Sequence, residues 1–319
     1  MISEPLTVSV AILTWNRKDK VLRAIRSALE QSYSPFEIVV VDSASTDGSS
    51  EAISEDFPAV KVIRLQRNLG CPEGRNIALA NCTGDVIFSL DDDGWLASNA
   101  LELCVRKFQS DESVGIVGCR IVPPDQAPTD TPNDIEDTIT VRFSGGAAAH
   151  RRATFASAGY YPSDFFRQGE EGDLALRVIE NGYKIVRCPE AVLFHERPPA
   201  NAVPRKHFFY AARNSLFTIT RQYPLVYVVP FALYSLLSWN LLGLRTRAVH
   251  YTLWAAFVWL IKMPWLLTQR RPVSSRTIRN VLRLRARERG SRRYRERLDR
   301  DVSDTGSNVS VHVLRNPFR

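Results

Sequence analysis

Short runs of β-branched and aliphatic residues alternate with amphipathic stretches through the first part of the chain. Residues 8–13 (VSVAIL) form a run too short for a membrane span and typical of a parallel strand buried on both faces. Residues 19–31 then space Val21, Leu22, Ile25, Ala28 and Leu29 at helical intervals. Residues 36–41 (FEIVVV) are a second buried strand, ending in Asp42 and the turn-rich SASTDGSS, whose Thr46 or Asp47 could cap the next helix. A third strand over 60–65 precedes RNLGCPEG and a helix over 75–80. The fourth, 86–90, runs straight into Asp91, Asp92 and Asp93, and residues 114–122 supply another. This alternation predicts an α/β fold with an open, Rossmann-like, mostly parallel sheet and right-handed crossovers. Ligands of such sheets bind beyond the carboxyl ends of the strands, so polar residues there are the first candidates for chemistry.

The pattern then loosens. Residues 123–137, rich in Pro, Asp and Thr, read as a surface excursion, and a strand over 138–143 leads to Ser144-Gly145-Gly146. The stretch YYPSDFFRQGEEGD and a helix over 174–180 follow, closed by Gly182, with short strands over 183–186 and 191–194 before His195. Beyond Pro204 the character changes. Residues 223–244 carry no charged side chain, and 248–269 carry only Lys262 beside His250. Each is about long enough to cross ~30 Å of hydrocarbon at ~1.5 Å per residue. Pro224, Pro230, Asn240, Pro264 and the many Trp and Tyr make these poor spans, and aromatics favour the bilayer interface. Arg245 and Arg247 between the segments, with Arg270 and Arg271 after them, put basic charge on both sides and give no clean orientation. The reading preferred is a membrane-seated helical pair lying in or dipping into one leaflet; a hairpin and a buried soluble subdomain are the alternatives. The expected organisation is a catalytic domain over 1–203, a helical membrane-associated segment over 204–271, and an Arg-rich helix with a mobile tail over 272–319.

Charge sharpens the last boundary. The net charge is +8, yet residues 270–300 hold 13 Arg against three acids, so this stretch alone carries +10 and the remainder is slightly acidic. An Arg-rich helix beside apolar, Trp-rich segments points to anionic lipid headgroups. Nucleic-acid binding has the charge in its favour but no recognisable reading module. The five cysteines form no CxxC pair and their odd number cannot close fully into disulfides, which fits a reducing compartment. The N-terminus has neither a basic n-region nor a cleavage site after its apolar run, so the cytosolic side is the default.

Three acids at the end of a buried strand are the strongest chemical signal. A DDD run alone is as readily a solvated turn. After VIFSL, however, alternate side chains Asp91 and Asp93 could approach one hard divalent cation, which prefers oxygen ligands and would neutralise a diphosphate leaving group. Thr14 and Asn16 follow the first strand, Asp42 the second, and Asn68 and Gly70 the third, with Arg75 in the next helix. Each taken singly is a cap or turn residue; their joint placement on one edge suggests a nucleotide site. Neither GxGxxG after the first strand nor GxxxxGK[ST] occurs, which removes the dinucleotide and P-loop fingerprints.

The landmarks SVAILTWNR, IVVVDSASTDGS, VIRLQRNLGCPEGRNIAL, GDVIFSLDDD and FFRQGEEGDLALRVIENGYKI, in this order over roughly residues 7–200, resemble glycosyltransferase family 2, the inverting nucleotide-sugar transferases of the GT-A fold. FYAARNSLFTITRQYP resembles the region after the catalytic domain in rhamnosyltransferase-like members. The resemblance implies that Thr14, Asn16, Asp42, Asn68 and Arg75 surround the nucleotide, that Asp91 and Asp93 are the outer members of a DxD metal motif, and that Asp92 turns to ribose or sugar. It places Gly145 and Gly146 beside donor sugar and acceptor. Glu170 and Glu171 fall on a paired-acid motif with Asp173 after it, Glu171 being the preferred base, and His195 falls where some members add a histidine to the metal. The second acid of the pair is Glu where the family often has Asp, one methylene longer. Acids in a first helical turn are also favoured by the macrodipole without any catalytic role, and His195 could simply be a strand-end histidine. The expected reaction is a sugar transfer from a UDP- or dTDP-sugar, assisted by Mg2+ or Mn2+, to a hydroxyl of a glycan or lipid-linked acceptor at the cytoplasmic face of the membrane. The other reading is a non-catalytic, membrane-bound nucleotide-sugar-binding or scaffold protein.

Overall fold

The computed structural model describes residues 5–125, 138–196 and 205–303. Most of the expected excursion over 123–137, and the tail beyond residue 303, lie outside the described residues. One mixed sheet runs through the first two-thirds of the chain. Its strands are β1 (Val8–Thr14), β2 (Glu37–Asp42), β3 (Lys61–Arg64), β4 (Val86–Asp91), β5 (Gly94–Leu96), β6 (Val114–Val122), β7 (Thr138–Thr140), β8 (Ala147–Arg151) and β9 (Lys184–His195). They lie in the order β3-β2-β1-β4-β8-β6-β9-β5, with β7 also on β9.

The half made of β3, β2, β1 and β4 is parallel, as the alternating pattern predicts. The other half departs from it: β8 is antiparallel to both β4 and β6, β5 and β7 are antiparallel to β9, and only β6 and β9 run parallel. A second difference has a plain cause. The two short strands expected before His195 are one strand, β9. Its register against β6 jumps from Cys119–Cys188 to Arg120–Val192, so that residues 189–191 bulge out and the ladder resumes. Pro189 breaks a strand pattern because it has no N–H to give the ladder, and a bulge is where a strand tolerates it.

Helices cover both faces. On one, α1 (Lys18–Leu29) and α4 (Ala100–Ser110) pack Val21, Leu22, Ile25, Leu101, Cys104 and Phe108 against one set of alternate strand residues, Val10, Ile12, Val40 and Phe88. On the other, α3 (Cys71–Ala80), α5 (Ala153–Ala158) and α6 (Glu170–Glu180) cover Ala11, Val39, Val41 and Ile87. The short α2 (Ser49–Asp56) closes the β2–β3 connection. Coverage on both sides explains why the strands read as unbroken apolar runs.

The C-terminal third is helical: α7 (His207–Gln222), α8 (Leu225–Arg245), α9 (Val249–Thr268) and α10 (Ser275–Ser303). Leu216, Phe217 and Ile219 of α7 join Phe165 and Leu176 of the sheet-bearing part to Ala232, Trp259 and Leu266 of α8 and α9. Only one side of α8 and α9 is used in this way. Leu225, Val229, Leu233, Leu237 and Leu244, with Leu253, Phe257, Leu260 and Ile261, are exposed, most of them by about 60% (Leu233 62%, Leu260 59%). Among the described helices, α8 alone is long and apolar enough to cross a membrane.

Candidate active site

The site lies at the carboxyl ends of β1 and β4 and the start of α6. Asp91 ends β4, and its N–H donates to the carbonyl of Gly146 at 3.0 Å. The approach is so close that a Cβ on Gly146 would sit 1.9 Å from Asp91 Cγ, so glycine there is a packing requirement. Asp93 Oδ1 meets His195 Nε2 at 3.0 Å across the β5–β9 pairing, in which Gly94 lies opposite His195. One ligand atom each from Asp91, Asp93 and His195 lies within 4.8 Å of the others. Two carboxylates and an imidazole nitrogen at this spacing fit a divalent cation. The contact with Asp93 raises the pKa of His195. Burial works against Asp93 ionising, but its contacts with His195 and Arg17 win and hold it below the ordinary carboxylate range.

Asp92 points the other way. It is buried, accepts from Thr14 Oγ1 at 2.9 Å, and pairs with Arg17 at 2.8 Å; burial pushes it up to about 6 despite that arginine. Arg17 also reaches Asp93 at 2.6 Å. It lies in the LTWNR segment, but its role there is visible only in the fold, because it bridges two acids 75 and 76 positions away.

Behind the acid triplet Arg75 forms a buried bridge, with Nη2 2.5 Å from Asp91 Oδ1 and Nη1 3.4 Å from Glu170 Oε1. Glu170 is buried, and its Oε2 has no hydrogen-bond partner among the described residues. Burial and then the neighbouring Glu171 carboxylate raise its pKa to about 8. Glu171 is half-buried and accepts from the Gly145 N–H at 3.2 Å, which places it against the same loop that presses on Asp91.

The remaining expected residues divide. Asn16, at φ 51°, accepts from the Thr46 N–H at 2.8 Å and so ties the β1 loop to the β2 loop. Asp42 is fully buried and spends its oxygens on the Ser45 N–H at 2.9 Å and the Ser50 hydroxyl at 2.5 Å. Asn68 accepts from the Gly70 N–H at 2.8 Å, and Gly70 itself passes so near Phe166 that a Cβ would meet its carbonyl oxygen at 2.5 Å. Asp173 faces away from the triplet: it pairs with Arg177 at 3.0 Å and accepts from Thr218 of α7 at 3.1 Å. An open groove of about 500 Å³ lies between the β2 and β3 loops, lined by Ala44, Ser45, Thr46, Arg64, Leu65 and Gln66. Asn214 on α7 is a further support that sequence reasoning passes over. Its amide donates to the carbonyls of Arg167 and Gln168 at 2.9 and 2.6 Å, bracing the turn through Gln168 and Gly169 from which Glu170 starts α6.

Residues 9–166 match the glycosyl transferase family 2 profile. The chondroitin synthase of Escherichia coli is 34% identical over 113 residues, 34% of this chain and 16% of that protein. The O-antigen chain rhamnosyltransferase WbaN of Salmonella anatum is 28% identical over 197 residues, 56% of this chain and 61% of that one. The chain thus spans less than two thirds of either relative. Among solved structures, the mannosyltransferase PcManGT from Pyrobaculum calidifontis, in complex with GDP-Man and Mn2+, superposes with a TM-score of 0.56 at 22% identity, over 82% of this chain and 88% of that one. The acid triplet at a strand end, the α/β sheet that carries it and the matched segment converge: over residues 9–166 the chain belongs to glycosyltransferase family 2, on a GT-A fold.

Proposed function

We propose that the chain transfers a sugar from a nucleoside-diphosphate sugar to a hydroxyl of a glycan or lipid-linked acceptor, by single displacement with inversion at the anomeric carbon. The observation that carries this reading is the convergence of Asp91, Asp93 and His195 in front of the Glu170–Glu171 pair. Asp91, Asp93 and His195 would hold Mg2+ or Mn2+, which when bound supplies positive charge to the diphosphate leaving group. The nucleoside end lies along the strand ends that carry Thr14, Asn16, Asp42 and Asn68, beside the open groove. Asp92, anchored by Thr14 and Arg17, faces the ribose or sugar.

Glu170 and Glu171 divide the work by environment. Glu170, buried against Arg75, keeps its proton near neutrality and positions the pair. Glu171, half-exposed and oriented by the Gly145 N–H, removes the proton of the acceptor hydroxyl as that oxygen attacks. Holding donor and acceptor in line supplies much of the remaining acceleration. The exposed apolar side of α8 and α9 seats the enzyme on the cytoplasmic face of a membrane, where a lipid-linked acceptor resides.

The test is release of nucleoside diphosphate from UDP- and dTDP-sugars by detergent-extracted protein with Mg2+ or Mn2+, beside a nucleotide-binding titration. Metal-dependent release that disappears in Asp93→Ala supports the reading. Well-folded protein that binds no nucleotide sugar overturns it.

A further inference from the structure

Four arginines from three elements meet beside the loop that leads to Gly145. Thr138 of β7 lies opposite Arg187 of β9. Arg142 follows two residues after β7, and α10 brings Arg285 and Arg289 to the same place. Glu288 of α10 pins this corner. It accepts from Thr140 Oγ1 at 2.6 Å and from the Val141 N–H at 3.4 Å, and pairs with Arg142 Nε at 3.5 Å. Among the described residues it is the one carboxylate in an ion pair with any of the four guanidiniums. Burial and the neighbouring Arg285, Arg289 and Arg187, against the pull of Glu288, hold Arg142 below its ordinary pKa. Among the described residues the corner therefore carries more positive charge than Glu288 balances. Arg187 and Arg289 are exposed, so it is open to a ligand.

We propose that Arg142, Arg187, Arg285 and Arg289 bind the phosphate group of a lipid-linked acceptor. This rests on the transferase reading and names the chemical class of its second substrate. Guanidinium forks match phosphate oxygens bidentately, and a cluster to which the described residues bring one carboxylate for four forks is poised for an anion. The corner is also near the chemistry: residue 142 stands three positions before Gly145, at most about 11 Å along the chain, and the Gly145 N–H holds Glu171. Finally, Arg285 lies beside Tyr223, which belongs to the apolar cluster of α7, α8, α9 and α10, so the charge abuts the helices on which an alkyl chain would lie.

The site is distinct from a diffuse attraction of the Arg-rich helix for lipid. At about 100° per residue, Arg285 and Arg289 lie roughly 40° apart, whereas Arg276, Arg283 and Arg287 lie about 160–200° round the helix from Arg285 and the exposed Arg279 about 120° round. The inward arginines meet the catalytic domain, and the outward ones are free to meet headgroups.

The test uses the full chain in dodecyl maltoside micelles, titrated with dodecyl phosphate and, separately, with inorganic phosphate. It compares the parent protein, Arg142→Gln/Arg289→Gln, and the charge-matched Arg276→Gln/Arg279→Gln. Thermal melts check folding, and Arg187→Gln, at an exposed strand position, replaces the first pair where that pair fails to fold. Dodecyl phosphate is expected to bind at least tenfold more tightly than inorganic phosphate. The inward pair should weaken it at least tenfold, and the outward pair should leave it unchanged. Equal weakening by both pairs, or none by the inward one, overturns the site. Inorganic phosphate binding as tightly as the alkyl ester overturns the lipid-linked source. UDP and dTDP titrations with Mn2+ run alongside: loss of nucleotide binding by the parent protein would sink the transferase reading, whereas the alkyl phosphate comparison reports on the arginines alone.

Discussion

Glu170 and Glu171 are adjacent in the chain yet sit in different electrostatic surroundings. α6 starts at Glu170 and turns it into the buried space beside Arg75, whereas Glu171 stays half-exposed against Gly145. Replacing Glu171 by Gln should lower transfer by about 10²–10⁴-fold with nucleotide affinity retained, as removal of a general base does. Glu170 makes a different prediction. Its pKa is raised in the folded protein, so its neutral form favours the fold fully below about 4.5, and that contribution is lost as the pH rises through about 8. Melting temperatures of the parent protein should therefore fall relative to Glu170→Gln across this window; parallel curves would contradict the buried, protonated carboxyl. Gly146→Ala should force Asp91 aside, costing about 1–3 kcal/mol of stability and about 10²-fold in turnover, because misplacement by an ångström is enough. At this scale the residue types were legible and their neighbours were not. Asp42 looks like any strand-end acid, but its oxygens are taken by Ser45 and Ser50. Asp173 shares the GEEGD motif, yet Arg177 and Thr218 hold it away from the triplet.

Among the elements, α8 and α9 hold two kinds of surface on the same helices. Trp259 is buried, and its Nε1–H donates to Thr220 Oγ1 at 2.8 Å, so Trp259→Ala should cost about 3–5 kcal/mol, read as a shifted denaturant midpoint. Leu233→Glu with Leu260→Glu touches only the exposed side. Stability should stay within about 0.5 kcal/mol, while co-sedimentation with lipid vesicles is lost. Retained co-sedimentation would remove the membrane role of this side. The lengths of both helices could be read from the absence of charge, since few other sequences keep about 20 residues so apolar. Which side is buried could not be read, because apolar residues surround both helices and leave no stripe to assign. The bulge in β9 was illegible for a related reason. A proline inside a strand pattern reads as a break, and only the register with β6 shows that pairing resumes beyond it.

Taken as a whole, the molecule joins an acidic sheet-bearing part to a basic C-terminal helix through α7. That helix contacts both sides: Asn214 and Thr218 support the turn and helix of the acid pair, and Leu216 and Phe217 pack on α8 and α9. Because the excess charge lies in residues 270–300, binding to vesicles containing an anionic lipid should weaken as ionic strength rises from about 0.01 to 1 M, where the screening length shrinks from about 30 to 3 Å. Binding that is indifferent to salt would assign the attachment to the apolar helices alone.

The sequence by itself determined the alternating strands and helices, the edge on which the acids emerge, and the change of character after residue 204. Each of these is a local property: periodicity, apolar runs and charge are written in neighbouring residues. The tertiary structure decided which of those polar residues meet. The Asp91–Arg75–Glu170 bridge, the Arg17 clamp on Asp92 and Asp93, and the Glu288 contact with the β7 loop join positions 16 to 148 residues apart. Such pairs depend on strand order and helix packing, which bring distant segments together only once the sheet has closed.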